Sequence, residues 1–297
     1  MPAHSFKHFP YLSISPRRNA FREVAFIFSV RVTQLMKIAI AQVRGQIDDP
    51  PANASKAKML LGNVDADLFI FPEMFAVGYD MKCARFVDGS DPILKNKMDM
   101  FMTKMETQIT NRGCCALFGA PVFENGKLYD AAILSDGKEK QVYRKIHLNV
   151  NDKFSEKDIF AAGNKPEIFN CKGMKIGVAM GNDIMFNEMF RWYAMKGVDL
   201  VVCISAVSQR TLSRYEKVLP ARCIENSLDI VFVNMVGPDP GFVMAGGSMY
   251  VTSDGTVVES CPDSSDVRQI KLNDDALKAS KEGRGFLKEI RKDVDWS

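Results

Sequence analysis

The sequence predicts a layered α/β fold, on three observations. Short apolar runs alternate with longer amphipathic stretches from Met36 onward. Several runs break at turn residues, as at Pro72-Glu73 and Gly181-Asn182-Asp183, where a strand feeds the next element. Asp136-Gly137 and Ser253-Asp254-Gly255 are hairpin signals between β-patterned runs. Strands that alternate with helices in both halves, with hairpins between, call for sheets covered by helices. No internal repeat or domain break is visible from 36 to 297.

Taken in order, Lys37–Gln42 reads as a strand and Pro51–Gly62 has a helical period. Leu68–Phe71 is a short buried strand ending at Pro72-Glu73, and Asp91–Asn111 is an amphipathic helix whose methionines suit a core. Cys115–Pro121, Ala131–Ser135 and Gln141–Lys145 read as strands. Ile176–Met180 is a buried strand that breaks at Gly181, and Met185, Phe186, Met189 and Phe190 follow at helical spacing. Leu200–Ile204 is a strand, Tyr215–Asn226 a helix, and Ile230–Val236, Gly247–Thr252 and Val257–Glu259 are strands.

Composition narrows the function classes. The chain has 297 residues, 46% hydrophobic and 25% charged, enough for a sizeable core. A net charge of +3 without a basic, aromatic-laced stripe does not suit nucleic acid, and no run approaches the length of a membrane span. The seven cysteines are odd in number and lack CxxC spacing, which fits reduced thiols in a cytoplasmic protein. Cys114-Cys115 falls in a strand and reads as core. With three histidines, His4, His8 and His147, a serine triad or a histidine metal site is poorly supplied. Residues 1–35 differ from the rest: Lys7, Arg17, Arg18, Arg22 and Arg31 face one acid, Glu23, with an apolar patch at Val24–Val30. They read as a transit-like leader or an early start, disordered ahead of a domain over 36–297.

Three residues carry the candidate chemistry. Glu73 puts a carboxylate where a buried strand ends; by spacing alone it is equally a cap or surface acid. Lys145, in YRKIHL, ends a β-patterned run and by itself reads as a solvated edge lysine. Glu156, in KFSEKDIF, would alone be a surface charge between lysines.

Set together, these stretches resemble the nitrilase, or carbon–nitrogen hydrolase, superfamily. FPEMFAVGY is similar to the motif holding that family's general base, which implies that role for Glu73. YRKIHL is similar to the motif whose lysine stabilises the oxyanion, which implies Lys145, and Glu156 is implied as a second acid that orients lysine and substrate. Asp183, Phe186 and Glu188 match the nucleophile segment. Tyr215-Glu216, Arg222–Asn226, Gly247-Ser248 with Asp254-Gly255, and the tail FLKEIRKDVDW continue the likeness to nearly the last residue. Asn182, Tyr215 and Glu216 are expected at the substrate.

One position departs. Gly181 stands where the family has its cysteine nucleophile, and glycine cannot form a thioester; it can adopt a strained turn at no steric cost. Asn182 and Asn187 replace an aromatic and a proline. Cys203 is the nearest other thiol by topology, but attack demands placement to within about an ångström. The resemblance implies an αββα sandwich of two mixed β-sheets flanked by helices, no cofactor or metal, a small amide or N-carbamoyl partner, and a homodimer or larger homo-oligomer. Two functional readings stay open: a hydrolase with its nucleophile substituted, or a natural pseudoenzyme that binds a small molecule or regulates.

Overall fold

The computed structural model describes residues 36–80, 90–151, 154–239, 241–272, 274–291 and 293–294, all within the compact unit Leu35–Ser297. The leader expected over 1–35, Cys83 and the closing Trp296 lie outside the described residues.

Sixteen strands are described in chain order: β1 (Lys37–Gln42), β2 (Leu68–Ile70), β3 (Cys115–Glu124), β4 (Lys127–Ser135), β5 (Lys140–Arg144), β6 (Val150–Asn151), β7 (Phe154–Ser155), β8 (Ile168–Cys171), β9 (Met174–Met180), β10 (Leu200–Ser205), β11 (Asp229–Asn234), β12 (Val236–Asp239), β13 (Phe242–Ala245), β14 (Met249–Val251), β15 (Val257–Ser260) and β16 (Asp266–Lys271). The helices among the described residues are α1 (Pro50–Asn63), α2 (Pro92–Arg112), α3 (Asn187–Met195), α4 (Gln209–Asn226) and α5 (Asp274–Gly283).

Two six-stranded mixed sheets form, ordered β16-β1-β2-β3-β4-β5 and β15-β14-β11-β10-β9-β8. In the first, β1–β2 and β2–β3 are parallel and β3–β4 antiparallel. In the second, β9, β10 and β11 run parallel. The period-2 alternation of β1 sorts its side chains between two layers. Ile38 and Ile40 join a core that includes Ile176, Val178 and Val202 of the other sheet. Ala39 and Ala41 face outward, into a layer with Ala54, Ala57 and Leu61 of α1 and Phe101, Met105 and Ile109 of α2. On the second sheet α3 packs close. The Tyr193 hydroxyl donates to the Val178 carbonyl at 2.6 Å, and a Cβ at Gly177 would meet the Tyr193 ring at 2.7 Å. The result is the αββα sandwich implied by the resemblance. Among the described residues no helix is long and apolar enough to cross a membrane.

The helix read as Tyr215–Asn226 begins earlier, at Gln209, because its first two turns carry few apolar residues and give no amphipathic signal. β5 stops at Arg144, so Lys145 lies just past the strand end rather than in it.

Candidate active site

The functional side chains sit where strands of both sheets end. Glu73 follows β2, Lys145 follows β5, Gly181 follows β9, and Ala206 follows β10. Carboxyl ends of parallel strands gathered on one edge are where open α/β sheets place ligands.

Glu73 is buried in a tight turn, which β3 approaches so closely that only glycine fits at 119. A Cβ there would lie 2.3 Å from the Met74 nitrogen and 2.5 Å from the Glu73 Cα. The turn is tied to β3 by hydrogen bonds from the Gly119 amide to the Pro72 carbonyl and from the Ala76 amide to the Gly119 carbonyl. The Glu73 carboxylate accepts from Lys145 Nζ at 2.6 Å and from the Ala206 amide at 2.9 Å. It thereby joins the two sheets.

Lys145 is 1% exposed. Its ammonium also donates to Glu156 Oε1 at 2.7 Å, and Asp130 lies 3.6 Å away. Burial alone would push this lysine down, but the carboxylates of Glu156, Glu73 and Asp130 together outweigh it and hold it well above its ordinary range. Glu73, Asp130 and Glu156 have the mutual spacing of a cation site; the lysine ammonium occupies that place. Glu156 is fixed in turn by the Tyr79 hydroxyl and the Asn149 amide, both donating at 2.7 Å.

Asp130 is the residue that sequence reasoning missed. Its carboxyl is fully buried on β4, and neither oxygen has a hydrogen-bond partner among the described residues. Burial, followed by the charge of Glu73, drives it well above the carboxylate range. An acid inside an otherwise apolar strand was the available signal.

Gly181 opens a single 3-10 turn, Gly181–Met185, with φ +46°. A Cβ built on it would point into the charged cluster, 2.8 Å from Lys145 Nζ and 3.2 Å from each Glu73 oxygen. Two side chains anchor this turn. Tyr215 donates its hydroxyl to the Gly181 carbonyl at 2.7 Å. Arg222 donates to the Ile184 and Met185 carbonyls at 3.2 and 2.8 Å.

Asp183 explains why the GNDIMF and YRKIHL motifs belong together. It accepts from the Tyr143 hydroxyl at 2.6 Å, the His147 amide at 2.8 Å and the Met180 amide at 3.0 Å. His147 also stacks on Phe186, 3.5 Å between ring centroids. The residues two before and two after Lys145 are thus pinned to the turn that follows β9.

A cavity of about 100 Å³ opens onto this cluster, and Glu73, Lys145, Glu156, Gly181, Asn182 and Tyr215 all line it. The expectation the structure does not bring there is Glu216, which is exposed and outside the lining. One residue beyond Tyr215, the helical turn of about 100° carries it to solvent; Arg214 and Thr211 line the cavity instead. Cys203 is fully buried in β10. Burial, with the charge of Asp183 adding, pushes its thiol up, away from the thiolate that attack needs.

The chain resembles an amidase and a nitrilase over most of its length. It is 27% identical over 261 residues to an (R)-stereoselective amidase of Pseudomonas sp., covering 86% of this chain and 92% of the relative. It is 27% identical over 234 residues to a nitrilase of Pyrococcus abyssi, covering 75% and 84%. The structure superposes on an amidase of the nitrilase superfamily from Nesterenkonia with a TM-score of 0.71 at 25% identity, covering 82% of this chain and 93% of that one. The family model for carbon–nitrogen hydrolases matches residues 37–280, and the chain belongs to that family.

Proposed function

We propose that the cavity is a hydrolase site for a small amide or N-carbamoyl compound, complete except for its nucleophile, so that the chain as it stands binds such a molecule without turning it over. The observation that carries this reading is the direction of the missing side chain: a Cβ at Gly181 would face both Lys145 Nζ and the Glu73 carboxylate.

With a thiol there, Glu73 would take its proton and the sulfur would attack the carbonyl carbon. Lys145 would hold the oxyanion, and ammonia or an amine would leave with the proton from Glu73. Water, activated by the same carboxylate, would then hydrolyse the thioester. Glu156 positions Lys145, and Tyr215 and Asn182 line the cavity. Glycine removes the first bond-forming step and leaves the remaining groups in place.

The same geometry supports a natural binding or regulatory subunit. The source gene distinguishes the two: a cysteine codon at 181 marks a substituted hydrolase, a glycine codon a pseudoenzyme. For the chain as given, assay with simple amides, N-carbamoyl amines and nitriles should show background only, because loss of the nucleophile removes most of such catalysis. Turnover that iodoacetamide abolishes would contradict this and point to one of the native cysteines.

A further inference from the structure

Cys115 and Cys171 come from different sheets, at the start of β3 and the end of β8, and both join the core between the sheets. Neighbouring contacts bring them together. The Cys115 amide donates to the Asp67 carbonyl at 2.7 Å, and Lys172, the residue after Cys171, donates to the Asp67 carboxylate at 2.8 Å. Asn170, the residue before, is clasped by the Gln141 side chain through hydrogen bonds of 2.8 and 2.9 Å. The two thiols meet, and the hydrogen bond between them is the largest influence on each. Strand alternation sends the adjacent Cys114 the other way, into the outer layer with Ile109, where burial pushes its thiol up to about 11.

The pair lies away from the charged cluster. Cys171 faces Met174 across the β8–β9 hairpin, and β9 then runs to Met180 beside the cluster, a strand length of roughly 20 Å. The two thiols differ in access. Cys115 lines a cavity of about 720 Å³ with Cys114, Asn170 and Lys172, whereas Cys171 is outside that lining. Cys115 is only 2% exposed, so a small oxidant alone can reach it. The hydrogen bond from Cys171 draws the Cys115 thiol down; burial opposes this, and the charge of Lys172 adds to the lowering.

We propose that Cys115 and Cys171 are a redox pair that hydrogen peroxide oxidises to a disulfide joining the two sheets. A cavity-facing thiolate with a second thiol in contact is the arrangement such chemistry needs. The Cys115 thiolate attacks one peroxide oxygen, the O–O bond breaks, and a sulfenic acid forms as the other oxygen leaves as hydroxide and takes up a proton. The Cys171 sulfur then attacks the Cys115 sulfur. The S–O bond breaks, and the hydroxyl leaves as water with the Cys171 proton. Two thiols lose two electrons and two protons, and one peroxide becomes two waters. Closing the bond draws the sulfurs to about 2 Å; β8 is the edge strand of its sheet, and its end can take up that movement.

The full chain, reduced and freed of reductant, is treated while folded with hydrogen peroxide, and the remaining thiols are alkylated after unfolding. Peptide mapping should find a Cys115–Cys171 disulfide, with the intact chain lighter by two hydrogens before alkylation. Dithiothreitol should return both thiols. Cys171→Ser should instead leave a sulfenic acid on Cys115 that dimedone traps, because the second step is lost. Cys115→Ser should leave Cys171 reduced, while Cys114→Ser should form the disulfide as the parent does. Cys115 and Cys171 alkylated as in the untreated chain, or oxidation that stops at Cys115 in the parent, would overturn the proposal. A disulfide joining either residue to another cysteine would overturn it too. The parent's map decides the matter even where a serine variant fails to fold.

Discussion

At Asp130 a carboxyl lies fully buried within 3.6 Å of Lys145, with neither oxygen hydrogen-bonded among the described residues. Its folded-state affinity for a proton is raised above the ordinary carboxylate value of 3.8, first by burial and then by Glu73. The sign follows from linkage. The folded chain binds this proton when the unfolded chain has released it, so the associated stability is fully present below about pH 4 and is lost as pH rises toward the folded-state value. Asp130→Asn removes the titration and keeps the shape. Its melting temperature relative to the parent should therefore climb from acid to mildly alkaline pH, and a difference that stays flat would show Asp130 to be ionised throughout. The sequence made this residue hard to see, because one acid in an apolar strand looks like an edge or bulge residue. Glu73, Lys145 and Glu156 were legible because each lies in a longer resembling stretch. Glu216 was misplaced because adjacency in sequence is not adjacency on a helix face.

Between elements, the site depends on close approaches that single residues permit. Gly119→Ala would drive a methyl into the backbone of Glu73 and Met74, and overpacking of this kind costs about 1–3 kcal/mol. Denaturant unfolding should register the loss. Asp183→Ala should cost more, about 3 kcal/mol or above, since buried donors from Tyr143 and the Met180 amide lose their acceptor. If Asp183→Ala unfolds at the parent's midpoint, the joint between the Lys145 segment and the 181 turn contributes nothing. Strands with dense apolar patterning, β1, β3, β9 and β10, could be read directly. β16 could not: it pairs antiparallel with β1 at the sheet edge and is mostly exposed, so no hydrophobic alternation marks it. The C-terminal helix α5 escaped for the same reason, and the hairpin β12–β13 because its strands are only four residues each and Gly237-Pro238 interrupts the first.

Across the whole molecule, neither sheet holds the site alone. The first supplies Glu73, Asp130 and Lys145, while the second supplies the turn at Gly181 and the Ala206 amide that fixes Glu73. Periodicity reached the layered α/β class, but the face-to-face pairing of sheets came from the order of resembling motifs, because pairing between distant strands leaves no local trace. If this edge retains a hydrolase site lacking only its nucleophile, Gly181→Cys should restore the first covalent step. The left-handed backbone at 181 will charge about 1–2 kcal/mol for a side chain, and Lys145 must give way slightly at its flexible end. The new thiol would lie beside that ammonium, which favours the thiolate. Intact-mass spectrometry of Gly181→Cys mixed with the amide and N-carbamoyl panel should show a transient acyl adduct on residue 181, with a matching burst of ammonia or amine. Adding Glu73→Gln should remove both. A folded Gly181→Cys that forms no adduct and releases no ammonia or amine with any of these compounds would show that this edge does not hold a hydrolase site.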